Sequence, residues 1–206
     1  PDIVYVSLNG FGESGPYAAK PVYDPIIQAV SGLASVQGDS DDNPPRLVRT
    51  ILPDKLTAVT ASQAITAALL ARERSGQGQH VRLSMLDAVM AFLWSSDMGG
   101  QTFVDMPVNA QRAASFIDLI YSTLDGYISV AVMGDREWRA LTQALDRPDW
   151  LDDPRFITPA LRDQNIDARL ALIQEELSAR TCADWLERLE AAGVPCAPVL
   201  TRNELV

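Results

Sequence analysis

The chain has 206 residues, 47% of them hydrophobic and 21% charged, which excludes disorder throughout and supplies apolar material for one or two modest cores. A formal net charge of −10 with no cluster of Lys and Arg argues against a nucleic-acid partner, because phosphate binding needs concentrated positive charge. No run reaches the roughly 18 apolar residues of a membrane span, and the first residues lack the pattern of a secretory leader, so a cytoplasmic protein with no membrane partner is expected.

In chain order, residues 3–8 form a short β-branched run closed by Asn9-Gly10, the pattern of a buried strand in a parallel sheet. Gly10, Gly12, Gly15 and Pro16 follow as a loop. Asp24-Pro25 then opens a helical spacing through Ile26, Ile27, Val30, Leu33 and Ala34, with Asp24 as the expected N-cap and Pro25 at the first helical position. After an exposed connection over residues 38–46, the apolar residues between Asp54 and Arg74 predict a long helix buried along most of its length. Arg72 and Arg74 in its last turn, then Gly76 and Gly78, mark its end. His80, Val81, Leu83 and Met85 give a second strand, and residues 87–94 a further helix.

Residues 97–116 are polar and without period, and a domain boundary is placed there. Beyond it, residues 117–123 and 127–132 read as a hairpin across Asp125-Gly126. Asp135 is expected to cap a helix carrying Trp138, Leu141 and Leu145, and residues 162–177 and 182–192 are expected as two more helices. Gly193 closes the last, and residues 194–200 leave as an extended segment interrupted by Pro195 and Pro198. Cys182, Cys196 and His80 are too few for a disulfide framework or a metal centre, so buried free thiols and no metal are expected. The opening on Pro1 directly before a strand, and the stop at residues 201–206 just as a new segment begins, are the marks of a chain cut at both ends.

Three stretches together resemble the CoA-transferase family III, which includes formyl-CoA:oxalate transferase, carnitine-CoA transferases and the α-methylacyl-CoA racemases. They are Ser7-Leu8-Asn9-Gly10-Phe11-Gly12 with Gly15-Pro16-Tyr17; Tyr23-Asp24-Pro25-Ile26-Ile27-Gln28-Ala29 with Ser31-Gly32-Leu33; and Ala67-Ala68-Leu69-Leu70-Ala71-Arg72-Glu73-Arg74 with Gly76-Gln77-Gly78-Gln79. Ser84-Met85-Leu86-Asp87-Ala88 extends the match. Thr123-Leu124-Asp125-Gly126-Tyr127 and Ala191-Ala192-Gly193-Val194-Pro195-Cys196 continue it more loosely.

The resemblance implies an α/β fold, incomplete here. Residues 1–100 would be part of a large Rossmann-like CoA-binding domain, 101–116 a linker, 117–200 a small α+β domain and 201–206 the start of a return segment. It also implies an interlocked homodimer that moves CoA between an acyl-CoA and a carboxylic acid acceptor, with the CoA thioester as substrate and no cofactor permanently bound.

The family's catalytic aspartate lies just ahead of the helix that ends in Arg-Glu-Arg, which is the place of Asp54. Its residues make an independent case, since a carboxylate after Pro53 at the start of an apolar helix is placed for capping and for desolvation; a plain N-cap is the alternative. The chemistry implied is covalent catalysis through an aspartyl-CoA thioester.

Backbone N–H groups of a glycine loop would stabilise developing oxyanions, and Gly99-Gly100-Gln101 is the nearest candidate, an ordinary connection being the alternative. Tyr23 stands where the racemases place a histidine, and a phenol is poorly suited to remove a proton alpha to a thioester, so transfer ranks above racemisation. Asp24 is a candidate for orienting the acceptor, or else an N-cap. Arg72 and Arg74 are candidates for the CoA phosphates, or else complements to the helix dipole. A noncatalytic CoA-binding or assembly module remains a further alternative.

Overall fold

The computed structural model describes residues 2–38, 43–105 and 117–206. It divides into two compact units, Pro1–Ile117 and Asp118–Val206. The stretches 39–42 and 106–116, which carry parts of the expected connection and linker, lie outside the described residues.

In the first unit, β1 (Tyr5–Asn9) pairs in parallel with β2 (His80–Ser84), in register from Tyr5 opposite His80 to Asn9 opposite Ser84. Parallel neighbours need a long crossover, and the helices between them supply it. The parallel strand is as expected, but its burial is not. Leu8 is 52% exposed, because among the described residues β1 has a partner strand on one side only.

The helical region after Asp24 is two helices, α1 (Asp24–Val30) and α2 (Leu33–Val36). They are separated at Gly32, whose φ of 85° is left-handed backbone that a glycine accepts at no steric cost. The N-cap of α1 is Tyr23, so Asp24 is its first helical residue and Pro25 its second.

Helix α3 (Leu52–Ser75) ends as the sequence predicts, with Gly76 at φ 69° donating its N–H to the Arg72 carbonyl at 2.7 Å. Its deep burial is not found: Pro53, Thr57, Ala61 and Ala68 are buried, while Val59 is 68% exposed. Apolar residues surround this helix, but α1, α4 and β2 pack against only part of it.

Helix α4 (Met85–Trp94) starts two residues before the expected position, since the Ser84 hydroxyl accepts the Asp87 N–H at 3.0 Å and caps it. Ile27, Leu33, Val89 and Leu93 form the core of this unit, with Met85, Leu52 and Leu56 packed around it. Among the described residues no helix is long and apolar enough to cross a membrane.

In the second unit, β3 (Ile120–Ser122), β4 (Tyr127–Val130) and β5 (Cys196–Pro198) form an antiparallel sheet in that order. The hairpin turns at Asp125-Gly126, where the Thr123 N–H meets the Gly126 carbonyl at 2.9 Å. The edge position of β5 fits Pro198, which cannot donate to a ladder.

Helix α5 (Asp135–Ala144) has Gly134, not Asp135, as N-cap; the Gly134 N–H is taken by the Glu137 carboxylate, and Asp135 pairs with buried Arg162. The helix expected over 162–177 is divided into α6 (Pro159–Gln164) and α7 (Ile166–Leu177). Asn165 joins them at φ −107°, its side-chain amide bonded to the Leu161 carbonyl at 2.9 Å.

Helix α8 (Cys182–Ala191) is capped by the Thr181 hydroxyl and followed by Gly193 at φ 72°. Trp138, Leu141, Trp150, Phe156, Leu177 and Leu189 form the heart of this core. The two cysteines are free but only half-buried, because they pack at the margin of that core. Partial burial pushes both thiols up.

Candidate functional site

Asp54 is the third residue of α3, not its N-cap; the backbone of Ile51 precedes the helix without a side-chain cap. The first N–H groups of a helix have no partner within it. Here Pro53 carries no N–H, the Leu52 N–H reaches the Thr50 carbonyl at 2.8 Å, and the Asp54 N–H is bonded at 3.2 Å by Asp24 Oδ2. A carboxylate from α1 therefore caps α3.

Asp24 is 4% exposed, and its other oxygen, Oδ1, accepts the Gln28 Nε2–H at 2.6 Å. Gln28, 2% exposed, accepts the Val48 N–H on Oε1 at 2.8 Å, and Nε2 lies 3.3 and 3.4 Å from the carbonyls of Val48 and Thr50. The result is a buried polar network joining α1, the segment that leads into α3, and the backbone of Asp54.

The structure thus brings Tyr23, Asp24 and Asp54 to one place. Tyr23 precedes Asp24 and is 81% exposed. The Asp54 side chain is exposed as well, so the desolvation expected for it is not present in this chain. The reason is geometric: the first turn of a helix at the surface of a unit is covered only by what packs above it, and α1 supports the backbone rather than the carboxylate. Among the described residues that carboxylate has no hydrogen bond or ion pair. It sits at the positive end of a 24-residue helix, whose dipole favours an anion.

Gly99-Gly100-Gln101 belongs to a short 3-10 turn, Gly99–Thr102, after α4, and no hydrogen bond joins it to Asp24 or Asp54. Arg72 and Arg74 sit at the opposite end of α3 from Asp54, about 27–30 Å away at 1.5 Å of rise per residue, and do not converge on it. His80 is held within the sheet, its Nε2 2.6 Å from the Ser7 hydroxyl and its ring tilted at 58° to that of Tyr5, with centroids 4.8 Å apart.

Gln28 is the residue that sequence reasoning passed over. Its signal was an amide one helical turn after Asp24 on a face otherwise buried. An open depression lined by Gln37, Arg46, Leu47, Val48 and Arg49 flanks the same segment. Among the described residues no group of three or more His, Cys, Asp or Glu is placed to hold a metal ion.

The chain is 34% identical over 202 residues to the acetyl-CoA:oxalate CoA-transferase of Acetobacter aceti, a match covering 97% of this chain and 52% of that protein. It is 31% identical to the succinate–glutarate CoA-transferase of Agrobacterium fabrum, covering 100% of this chain and 52% of the relative. A crystal structure of a CAIB/BAIF family protein from Brucella suis superposes with a TM-score of 0.83 at 29% identity, over 100% of this chain and 55% of that one. The chain therefore spans about half the length of these relatives. The fold, a parallel-sheet α/β layer followed by a smaller α+β part, matches that of the CAIB/BAIF family protein over the length of this chain. Residues 1–206 match the description CoA-transferase family III in full, and the chain belongs to that family.

Proposed function

We propose that the complete protein transfers CoA between carboxylic acids, with Asp54 as the nucleophile. The observation that carries this reading is the anchoring of Asp54: its backbone is fixed by a buried carboxylate while its own carboxylate is left unpaired at a helix N-terminus. The names of the relatives, which pair acetyl-CoA with oxalate and succinate with glutarate as CoA-transferases, support the reaction class.

In the first step an Asp54 oxygen attacks the thioester carbon, the C–S bond breaks, and CoA leaves as thiolate with a mixed anhydride formed. The thiolate attacks the Asp54 carbonyl of that anhydride, releasing the donor acid as carboxylate and leaving an aspartyl-CoA thioester. The acceptor carboxylate displaces the thiolate from this thioester, giving a second anhydride. The thiolate then attacks the acceptor's carbonyl, which yields the new acyl-CoA and frees Asp54. Together these steps divide one hard exchange into easier ones.

The carboxylate needs a water-poor setting that this chain alone does not give it. In the proposed mechanism the cover comes from polypeptide outside these residues, within an interlocked homodimer. Backbone donors for the oxyanions, including any from Gly99-Gly100-Gln101, would approach Asp54 only in that assembly. CoA serves as substrate, and no other cofactor takes part.

The test is intact-mass analysis of the complete protein incubated with acyl-CoAs. An added CoA mass at Asp54 that hydroxylamine removes is the expected result. Asp54→Asn abolishes transfer and leaves CoA binding largely intact; retained turnover refutes the assignment. The competing reading, a noncatalytic CoA-binding or assembly module, draws on the exposure of Asp54 here. CoA binding by the complete protein without any acyl exchange would favour it.

A further inference from the structure

Gln28 sits in the buried face of α1 beside Ile27, 2% and 0% exposed. A buried amide is costly unless its donors and acceptor are matched, and every polar atom of this one is engaged. Its partners are specific: Oε1 holds the Val48 N–H, and Nε2 holds Asp24 Oδ1 with the Val48 and Thr50 carbonyls at longer range.

Those partners lead to the same atom by two routes. Asp24, oriented by the amide, takes the Asp54 N–H on its second oxygen. The 48–50 segment, held by the same amide, runs directly into the first turn of α3, where Asp54 is third. One side chain therefore sets both the anchor of Asp54 and the approach of the chain to it.

We propose that Gln28 is the positioning residue for Asp54, acting through Asp24 and the Val48 and Thr50 backbone rather than by touching substrate. This rests on the reading of Asp54 as nucleophile. A reacting oxygen displaced by about 1 Å can cost on the order of 10²-fold in rate, which is the scale of effect such a device controls.

The test uses the complete protein with three variants: Gln28→Leu, Gln28→Glu, and the exchange Asp24→Asn/Gln28→Glu. The readouts are the rate of hydroxylamine-sensitive CoA adduct formation at Asp54, the KM for acyl-CoA, and the melting temperature. Gln28→Glu keeps an acceptor for the Val48 N–H but sets a carboxylate against Asp24, so the anchor of Asp54 is pushed aside. Adduct formation by Gln28→Glu is expected to fall on the order of 10²-fold with acyl-CoA KM changed by less than about threefold. In the double variant the amide introduced at position 24 donates to the new carboxylate and still accepts the Asp54 N–H. It is expected to recover about tenfold or more of the lost rate.

Unchanged adduct formation in Gln28→Leu or Gln28→Glu overturns the proposal. So does a double variant that regains its melting temperature without regaining adduct formation, since the amide would then serve packing alone. If the unsubstituted protein forms no adduct at Asp54, the nucleophile assignment itself has failed, an outcome distinct from either of these.

Discussion

Replacing Asp24 by alanine removes the carboxylate through which α1 caps the start of α3. Two hydrogen bonds to its carboxylate are lost, from Gln28 Nε2 at 2.6 Å and from the Asp54 N–H at 3.2 Å. Bonds to a charged group contribute about 1.5–3 kcal/mol each, and an anion at a helix N-terminus about 0.3–1 kcal/mol more. Against this, the substitution relieves the burial of a carboxylate that has no cationic partner among the described residues, so the net loss is smaller than the sum. We expect Asp24→Ala to destabilise the protein by roughly 2–4 kcal/mol, and Asp24→Asn, which keeps one acceptor, by roughly half of that. Urea denaturation followed by far-UV circular dichroism measures the loss, and hydrogen exchange of the first-turn amides of α3 reports it locally, with the Asp54 N–H losing protection first. A loss below about 1 kcal/mol together with unchanged exchange at Asp54 would refute the interhelical cap.

Other consequences follow from particular contacts. A Cβ at Gly78 would stand 1.9 Å from the Ile3 carbonyl oxygen, a backbone atom that cannot rotate away, so Gly78→Ala should destabilise the first unit by about 2 kcal/mol or more in the same denaturation assay. Gly76→Ala meets open space and carries only the strain of φ 69°, for an expected loss of about 1 kcal/mol. Burial pushes the Tyr121 phenol up from 10.0 to about 12. Its folded-state value exceeds its unfolded one, so the stability it contributes is full below pH 10 and is lost as pH rises toward 12, by roughly 2–3 kcal/mol in all. Tyr121→Phe should remove that alkaline slope; a slope unchanged by the substitution would show that another group causes it.

Much of the architecture was legible because it depends on neighbours in the chain. The helix stops at Gly76 and Gly193 and the turn at Asp125-Gly126 need only local backbone conformations, and the residues there state them. The same holds for the placing of Asp54 at the start of a long helix, which Pro53 and the apolar run after it announce. Where two local readings competed, the sequence was ambiguous. Gly32 and Asn165 divide what periodicity shows as single helices, since a hydrophobic pattern can run on across a one-residue break.

The roles of Asp24 and Gln28 were decided by tertiary structure. Asp24 looked like a cap for its own helix, and a carboxylate before proline fits that role. Its partner is the N–H of Asp54, 30 residues away, and Gln28 reaches Val48 across 20 residues. Such bonds exist only once α1 and α3 pack, because a side chain's hydrogen-bond partner is set by which backbone group is brought within about 3 Å, not by spacing along the chain. The exposure of Asp54 and of much of α3 was likewise invisible beforehand. Apolar composition states that a surface seeks cover; only the packed structure states what covers it.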